Sequence, residues 1–270
     1  MISEVIIVLP GEHGFSLLQF LKGRLSYSGK SIKRAIDANG CFINGRAERF
    51  SSFRVKQGDR VELKIDRGRR VIERDFSLLY EDKTLSAVYK NPFVSCDRNH
   101  RLHRLDRDTS GVLLLSDDPL YYEMFRQRQI EKTYIAVVEG RPKEKFQVID
   151  YPIGVRKRYD GHKIMHVSSE GKEAITKVML LKELGRLSVL KLFPKTGRTH
   201  QIRVHLSACD LPIVGDYDYG KSYSVHVPRM LLHAYQVKFI HPHTKKKTVI
   251  TAPLPDDMLS FVTENELAAP

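Results

Sequence analysis

The chain has 270 residues, 41% hydrophobic and 29% charged, with 45 Lys and Arg against 32 Asp and Glu for a formal net charge of +13. That composition excludes collagen-like, coiled-coil and wholly disordered classes, and a chain of this length buries enough surface to complete a core without disulfides or metals. So basic a balance points to a polyanionic partner, either nucleic acid or an acidic membrane surface.

No apolar run approaches the roughly 18 residues of a membrane span. Val5–Leu9 follows Glu4 without a basic flank and is a poor signal peptide, so a cytoplasmic protein is expected. Cys41, Cys96 and Cys209 are odd in number and have no CxxC spacing, which favours reduced, buried thiols over a disulfide framework or a zinc site.

Residues 1–66 read as a small unit of their own. Phe15, Leu17, Leu18, Phe20 and Leu21 recur at helical spacing, and Ser31 is placed to cap a second helix, Ile32 to Ala38, that stops at Asn39-Gly40. Asn44-Gly45 between apolar residues is a tight-turn signal, Gln57-Gly58-Asp59 is another turn, and Val61 to Ile65 alternates as a half-buried strand does. The expected order is helix, helix, then short strands. About half of the excess positive charge falls in the first 70 residues. This stretch, over about residues 14–65, resembles the S4 RNA-binding domain in its basic second helix, Lys30-Ser31-Ile32-Lys33-Arg34, and the Phe42-Ile43-Asn44-Gly45 strand and turn. The resemblance implies that Lys30, Lys33, Arg34 and Arg46 contact phosphates; a solvated helix face is the alternative.

Residues 67–75 lack periodicity and read as a basic linker. From residue 76 to 270 the pattern is that of a second, larger α+β domain on a largely antiparallel sheet. Strands are expected at Leu78–Tyr80, Leu85–Tyr89, Tyr134–Val138, Val178–Leu181 and Leu187–Leu192. Asp118-Pro119 opens a helix whose face carries Leu120, Tyr121, Met124, Phe125 and Arg128 and which ends near Gln129, and Thr199 to Ala208 is a further helix.

The densest polar segment, His103-Arg104-Leu105-Asp106-Arg107-Asp108-Thr109-Ser110-Gly111, runs straight into the apolar Val112–Leu115. By itself it is also what a surface turn of mutually neutralising charges looks like. Its His-Arg-Leu-Asp and Asp-Thr-Ser-Gly stretches, however, resemble the signature of the RluA family of pseudouridine synthases. Lys132-Thr133-Tyr134-Ile135-Ala136, Gly197-Arg198-Thr199-His200-Gln201-Ile202-Arg203, Pro212-Ile213-Val214-Gly215-Asp216 and Leu231-Leu232-His233-Ala234 follow in the family's order, and the match spans about residues 76–262. Two departures stand out. Lys90-Asn91-Pro92-Phe93 replaces the usual Lys-Pro, small residue, Gly. Twelve residues separate Lys90 from His103, where the family usually inserts a longer segment with a helix.

The resemblance implies an RNA pseudouridine synthase acting on structured RNA, with ribosomal RNA favoured and transfer RNA possible; the isomerisation needs no cofactor, and a cytoplasmic monomer with no membrane partner and no metal is expected. Asp106 is then the catalytic carboxylate, Arg203 the cation that keeps it ionised, and Tyr134 the ring that holds the detached base. Arg104, beside the carboxylate, is assigned to opening the RNA, and His103, Lys132, Arg198 and His200 to substrate binding. Without the resemblance, Asp106 is a loop carboxylate paired with Arg104 or Arg107, Tyr134 is core packing and Arg203 solvates a helix face. The residues leave open whether Asp106 attacks C1′, adds to the uracil ring or removes the C2′ proton.

Competing patterns are weaker. Asp106 and Asp108 on one strand face would suit a two-carboxylate glycosidase. His241-Pro242-His243 lacks a third metal ligand by spacing, and Gly11–Gly14 and Lys195-Thr196-Gly197 are too short to cradle a nucleotide.

Overall fold

In the computed structural model the chain divides into two compact units, Met1–Glu73 and Arg74–Pro270. The structure describes residues 2–25, 27, 29–37, 40–48, 50–65, 76–94, 102–157, 163–220 and 227–267. The expected basic linker at 67–75 and Cys96 lie outside the described residues.

The first unit contains β1 (Ile2–Ile7), α1 (Leu17–Arg24), α2 (Gly29–Asp37), β2 (Cys41–Ile43), β3 (Arg46–Ala47) and β4 (Arg60–Ile65). Ser16 and Gln19 close a capping box at the start of α1: the Gln19 N–H donates to Ser16 Oγ and the Ser16 N–H to Gln19 Oε1. Leu17, Phe20 and Leu21 then point the same way and pack with Ile32, Ile36, Cys41, Val61 and Leu63. Burial pushes the Cys41 thiol up to about 12, so it is an inert apolar filler.

Two expectations change here. The unit opens on a strand: β1 pairs antiparallel with β4 at the edge of a four-stranded sheet ordered β1-β4-β2-β3. In addition, α2 begins at Gly29, so Ser31 falls within its first turn rather than before it. The turn at Asn44-Gly45 forms as expected, with φ of 52° and 80° at its two central residues, the left-handed pair that a two-residue hairpin requires.

The second unit contains β5 (Phe76–Glu81), β6 (Ser86–Lys90), β7 (Ser110–Leu115), α3 (Pro119–Arg126), β8 (Glu131–Glu139), β9 (Phe146–Asp150), β10 (Ile153–Lys157) and β11 (Lys163–Val167). It continues through β12 (Ile175–Leu184), β13 (Leu187–Pro194), α4 (Gln201–Ala208), β14 (Leu232–Ile240), β15 (Lys247–Thr251) and α5 (Asp256–Leu267). Nine strands form one sheet, β5-β6-β7-β14-β8-β13-β12-β9 with β15 against β14, while β10 and β11 form a separate hairpin. The large sheet is antiparallel except where β7 meets β14 in parallel, Ser110 opposite His233 and Gly111 opposite Ala234.

Both faces of the sheet centre are covered, which is why Tyr134–Val138 of β8 reads as an unbroken apolar run. Ala136 and Val138 pack with Ile202 and Leu206 of α4, whereas Ile135 and Val137 pack with Met258 of α5. Asp118 caps α3 by accepting the Leu120 N–H at 2.9 Å. That helix ends at Arg126 rather than near Gln129, because Arg128 takes a left-handed φ of 60° and turns the chain into β8. No helix among the described residues is long and apolar enough to cross a membrane.

Candidate active site

The loop before β7 is tied at several points. Leu102 and Leu114 pair through the Leu102 N–H, and the Leu114 N–H donates to His103 Nε2 at 3.1 Å. The His103 ring stacks on Phe125, centroids 5.2 Å apart, and burial, with the charge of Lys132, pushes its pKa down to about 3. His103 is therefore a neutral brace at this position. Lys90 is fully buried, and its ammonium donates to the carbonyls of Asn91, Val94 and Arg107 at 2.9, 3.0 and 2.9 Å. The Thr109 N–H closes a turn on the Asp106 carbonyl. Asp106 and Asp108 thus lie in a loop and share no strand face; Asp108 is buried against Arg107, 3.1 Å away, while the Asp106 side chain stays 29% exposed.

A second anchor lies at the start of α4. Buried Gln201 accepts from Thr196 Oγ1 and the Arg198 N–H and donates to the Ile175 carbonyl and Thr176 Oγ1, using all its polar capacity. Two residues on, Arg203 is buried and reaches Asp106 Oδ2 through Nη1 at 3.3 Å. Its Nε and Nη2 grip Asp216 at 2.8 and 2.7 Å, and Nη2 also meets Asp218 at 2.8 Å. Burial opposes this charge, but the bonds and charges of Asp216, Asp106 and Asp218 outweigh it and hold the guanidinium pKa well above its ordinary value.

Tyr134 comes from β8, with Lys132 on the same side of the strand two residues earlier. Burial, then the negative charge of Asp106, push the Tyr134 hydroxyl up, so it stays protonated at neutral pH. Burial alone lowers the Lys132 pKa, and its Nζ lies 6.0 Å from the Phe125 ring centre.

These groups line one cleft of about 750 Å³, which Asp106, Tyr134, Arg203, Arg104, His103, Lys132, Arg198 and His200 all share. Asp106 is the one carboxylate among its described lining residues, against Arg104, Arg126, Arg128, Lys132, Lys195, Arg198 and Arg203. Such a surface concentrates a polyanion around a single anionic centre. Arg104 is exposed, and Arg198 donates through Nε to the Glu173 carbonyl at 2.8 Å. Lys33 and Arg46 are exposed in the first unit, whereas the side chains of Lys30 and Arg34 lie outside the described residues.

Sequence reasoning gave no role to Asp216, Asp218 or Tyr219, which surround Arg203. Their signal was a polar run, Asp216 to Tyr219, directly after the apolar Pro212–Val214. No cluster of three His, Cys, Asp or Glu suited to a metal occurs among the described residues. His241 is bonded to Asp82 and Tyr121, and His243 to Asp118.

The sequence profile of the RNA pseudouridylate synthase family matches residues 81–208. An uncharacterised RNA pseudouridine synthase of Bacillus subtilis, YhcT, is 32% identical over 94% of this chain and 94% of its own length. Ribosomal large subunit pseudouridine synthase C of Buchnera aphidicola subsp. Baizongia pistaciae is 38% identical over 61% of this chain and 55% of its own. The chain spans about half the length of that protein and of its Haemophilus ducreyi and Pasteurella multocida counterparts. Among solved structures, human RNA pseudouridylate synthase domain containing 1 superposes with a TM-score of 0.58 at 27% identity, covering 72% of this chain and 96% of that one.

Proposed function

The chain belongs to the RNA pseudouridylate synthase family, and from that premise we propose that it isomerises uridine to pseudouridine in structured RNA with Asp106 as the catalytic carboxylate and without a cofactor. The reaction breaks the C1′–N1 bond and forms C1′–C5; the C5 proton leaves to solvent and N1 takes one up, so the product is an isomer of the substrate and no redox partner is needed. Whether the carboxylate attacks C1′, adds to the ring or takes the C2′ proton, it must be ionised. The observation that carries the reading is the 3.3 Å approach of the buried Arg203 guanidinium to Asp106, in a cleft whose other charged lining groups are cations.

Tyr134 lines the same cleft and offers a ring on which a detached uracil stacks. Arg104, exposed beside Asp106, is suited to occupy the gap left by a flipped nucleotide. Lys132 and Arg198 serve the phosphates. Ribosomal RNA is the favoured substrate, since several relatives carry the name of ribosomal large subunit synthases; transfer RNA is the second choice. The first unit, with Lys33 and Arg46 exposed, acts as an S4-like RNA-binding domain covering 1–66. We further assign the protein to the cytoplasm as a monomer.

The test is tritium release from [5-³H]uridine-labelled RNA under single-turnover conditions, together with mapping of pseudouridine across stable RNA in a strain lacking its own synthases. Asp106→Asn should fold and bind RNA yet release no tritium. Near-parental release by that variant would remove Asp106 from the chemistry. No new pseudouridine anywhere would leave an RNA-binding protein without catalysis, and free uracil would mark a hydrolase.

A further inference from the structure

From Asp106 a line of polar contacts runs to the β10–β11 hairpin. The Met165 N–H on β11 donates to the Tyr219 hydroxyl oxygen at 3.1 Å, that oxygen lies 2.8 Å from Nδ1 of His200, and His200 Nε2 stands 3.8 Å from Oδ1 of Asp106. The other carboxylate oxygen, Oδ2, is the one held by Arg203. His200 precedes α4 in a left-handed conformation, φ 54°, with its ring edge-on to Tyr219, centroids 5.6 Å apart.

The proton positions follow from satisfying each group. Tyr219 already accepts from Met165, so its own proton finds an acceptor if it donates to His200 Nδ1. A neutral His200 then carries its hydrogen on Nε2, facing an acceptor-only carboxylate; the other tautomer would set a lone pair against that negative charge. The charged groups facing the ring are Asp106, Arg203, Asp218 and Asp216, and burial, which outweighs the pull of Asp106, keeps the ring below its ordinary 6.5 and hence neutral at pH 7.

We infer that His200 is a positioning residue for Asp106, held by Tyr219 as the Nε2–H tautomer with its N–H toward the oxygen that Arg203 leaves free, and tied through Tyr219 to the β10–β11 hairpin. The inference rests on Asp106 being the reacting carboxylate. It gives His200 a task other than contact with RNA, and it makes the hairpin's backbone part of what fixes the carboxylate. A shift of under about 1 Å brings His200 Nε2 and Asp106 Oδ1 to hydrogen-bond distance.

The test compares the parent chain with His200→Phe, His200→Gln, Tyr219→Phe and Asp106→Asn. Ring nitrogen spectra of ¹⁵N-histidine-labelled protein, with the His200 signal identified by its loss in His200→Gln, should show the Nε2–H tautomer in the parent and mixed tautomers in Tyr219→Phe. His200→Phe should slow single-turnover tritium release by up to about 100-fold, the cost of a misplaced reacting group. Its RNA affinity should stay within about twofold, and His200→Gln, which keeps an N–H donor, should recover most of the rate. An Nδ1–H tautomer in the parent, a parental rate in His200→Phe, or a rate loss matched by weaker RNA affinity would overturn the inference. If His200→Phe fails to fold, the spectra of the parent and Tyr219→Phe still decide. An active Asp106→Asn would overturn the reading of Asp106, and this inference with it, whereas an inactive one beside an unimpaired His200→Phe would overturn the inference alone.

Discussion

Arg203 and Asp216 form a two-pronged ion pair, Nε to Oδ2 at 2.8 Å and Nη2 to Oδ1 at 2.7 Å, in which the carboxylate side chain has no exposed surface. Both planar groups are thereby fixed, and the third guanidinium nitrogen, Nη1, is aimed at Asp106. Asp216→Asn removes one charge and one prong while Asp218 remains. It should cost about 3 kcal/mol in urea unfolding, the lower end for a broken buried pair. Single-turnover rate should fall with RNA affinity retained; a variant as fast as the parent would show that Arg203 needs no such support.

Tyr134 separates ring from hydroxyl. Because its hydroxyl stays protonated at neutral pH, the ring is the part available to hold a base. Tyr134→Phe should keep RNA affinity and most of the rate, and Tyr134→Ala should lose binding worth about 1–3 kcal/mol, the range for a stacked base. Filter binding and single-turnover tritium release check both variants.

His233 predicts an acid-side loss of stability. It is fully buried, its Nδ1 2.9 Å from Ser110 Oγ, and burial pushes its pKa down to about 4 from 6.5. The folded chain thus refuses a proton that the unfolded chain binds. The stability linked to this group is fully present above pH 6.5 and is lost as the pH falls toward and through 4, at about 1.4 kcal/mol per pH unit. His103, pushed down to about 3, acts in the same direction. Urea midpoints should fall between pH 7 and 4.5 while the ring carbon shifts of His233 stay those of a neutral imidazole; protonation of the folded form near pH 6.5 would contradict this.

Gly111 has a φ of 114°, and a Cβ there would collide with the Ala234 carbonyl. Gly111→Ala should therefore cost more than about 3 kcal/mol, combining a strained φ with the overlap, and it should loosen the loop that carries Asp106. Thermal unfolding of the variant measures the first effect and tritium release the second.

Local chemistry was legible in the sequence where neighbours along the chain decide the structure. Asp118-Pro119 opens α3 and Asn44-Gly45 turns a hairpin, because caps and tight turns are settled within a few residues. β1 was hidden, since Ile2–Ile7 is apolar on both sides of an edge strand, with Val5 and Ile7 half exposed, and so shows no clear period of two. α5 went unseen, its apolar positions Met258, Phe261 and Val262 lying among Asp256, Asp257 and Glu264 in a segment without a basic last turn. At the site, Asp106 and Arg203 could be named from motifs. That Asp216 and Asp218 complete the charge arrangement could not, because Arg203 lies 97 positions from Asp106 and 13 from Asp216, and only the fold brings the three together.

In the first unit, Lys33 and Arg46 are exposed. Replacing both with Ala should weaken RNA binding and lower the slope of log affinity against log salt by about one to two units, close to one for each phosphate no longer neutralised. Turnover at saturating RNA should hold. An unchanged slope in filter binding from low to moderate salt would return both residues to a merely solvated surface.

The position of β14 sets an order on the chain's own assembly. It lies between β7 and β8 and pairs with both, so among the described residues the block β5-β6-β7 and the block β8-β13-β12-β9 have no strand pairing with each other except through it. On the ribosome, the Asp106 loop and the Arg203 helix belong to halves of the sheet that wait for residues 232–240 to emerge. A nascent chain stalled before β14 holds all the described residues that line the cleft but one, Leu232, yet lacks the strand that joins the two halves.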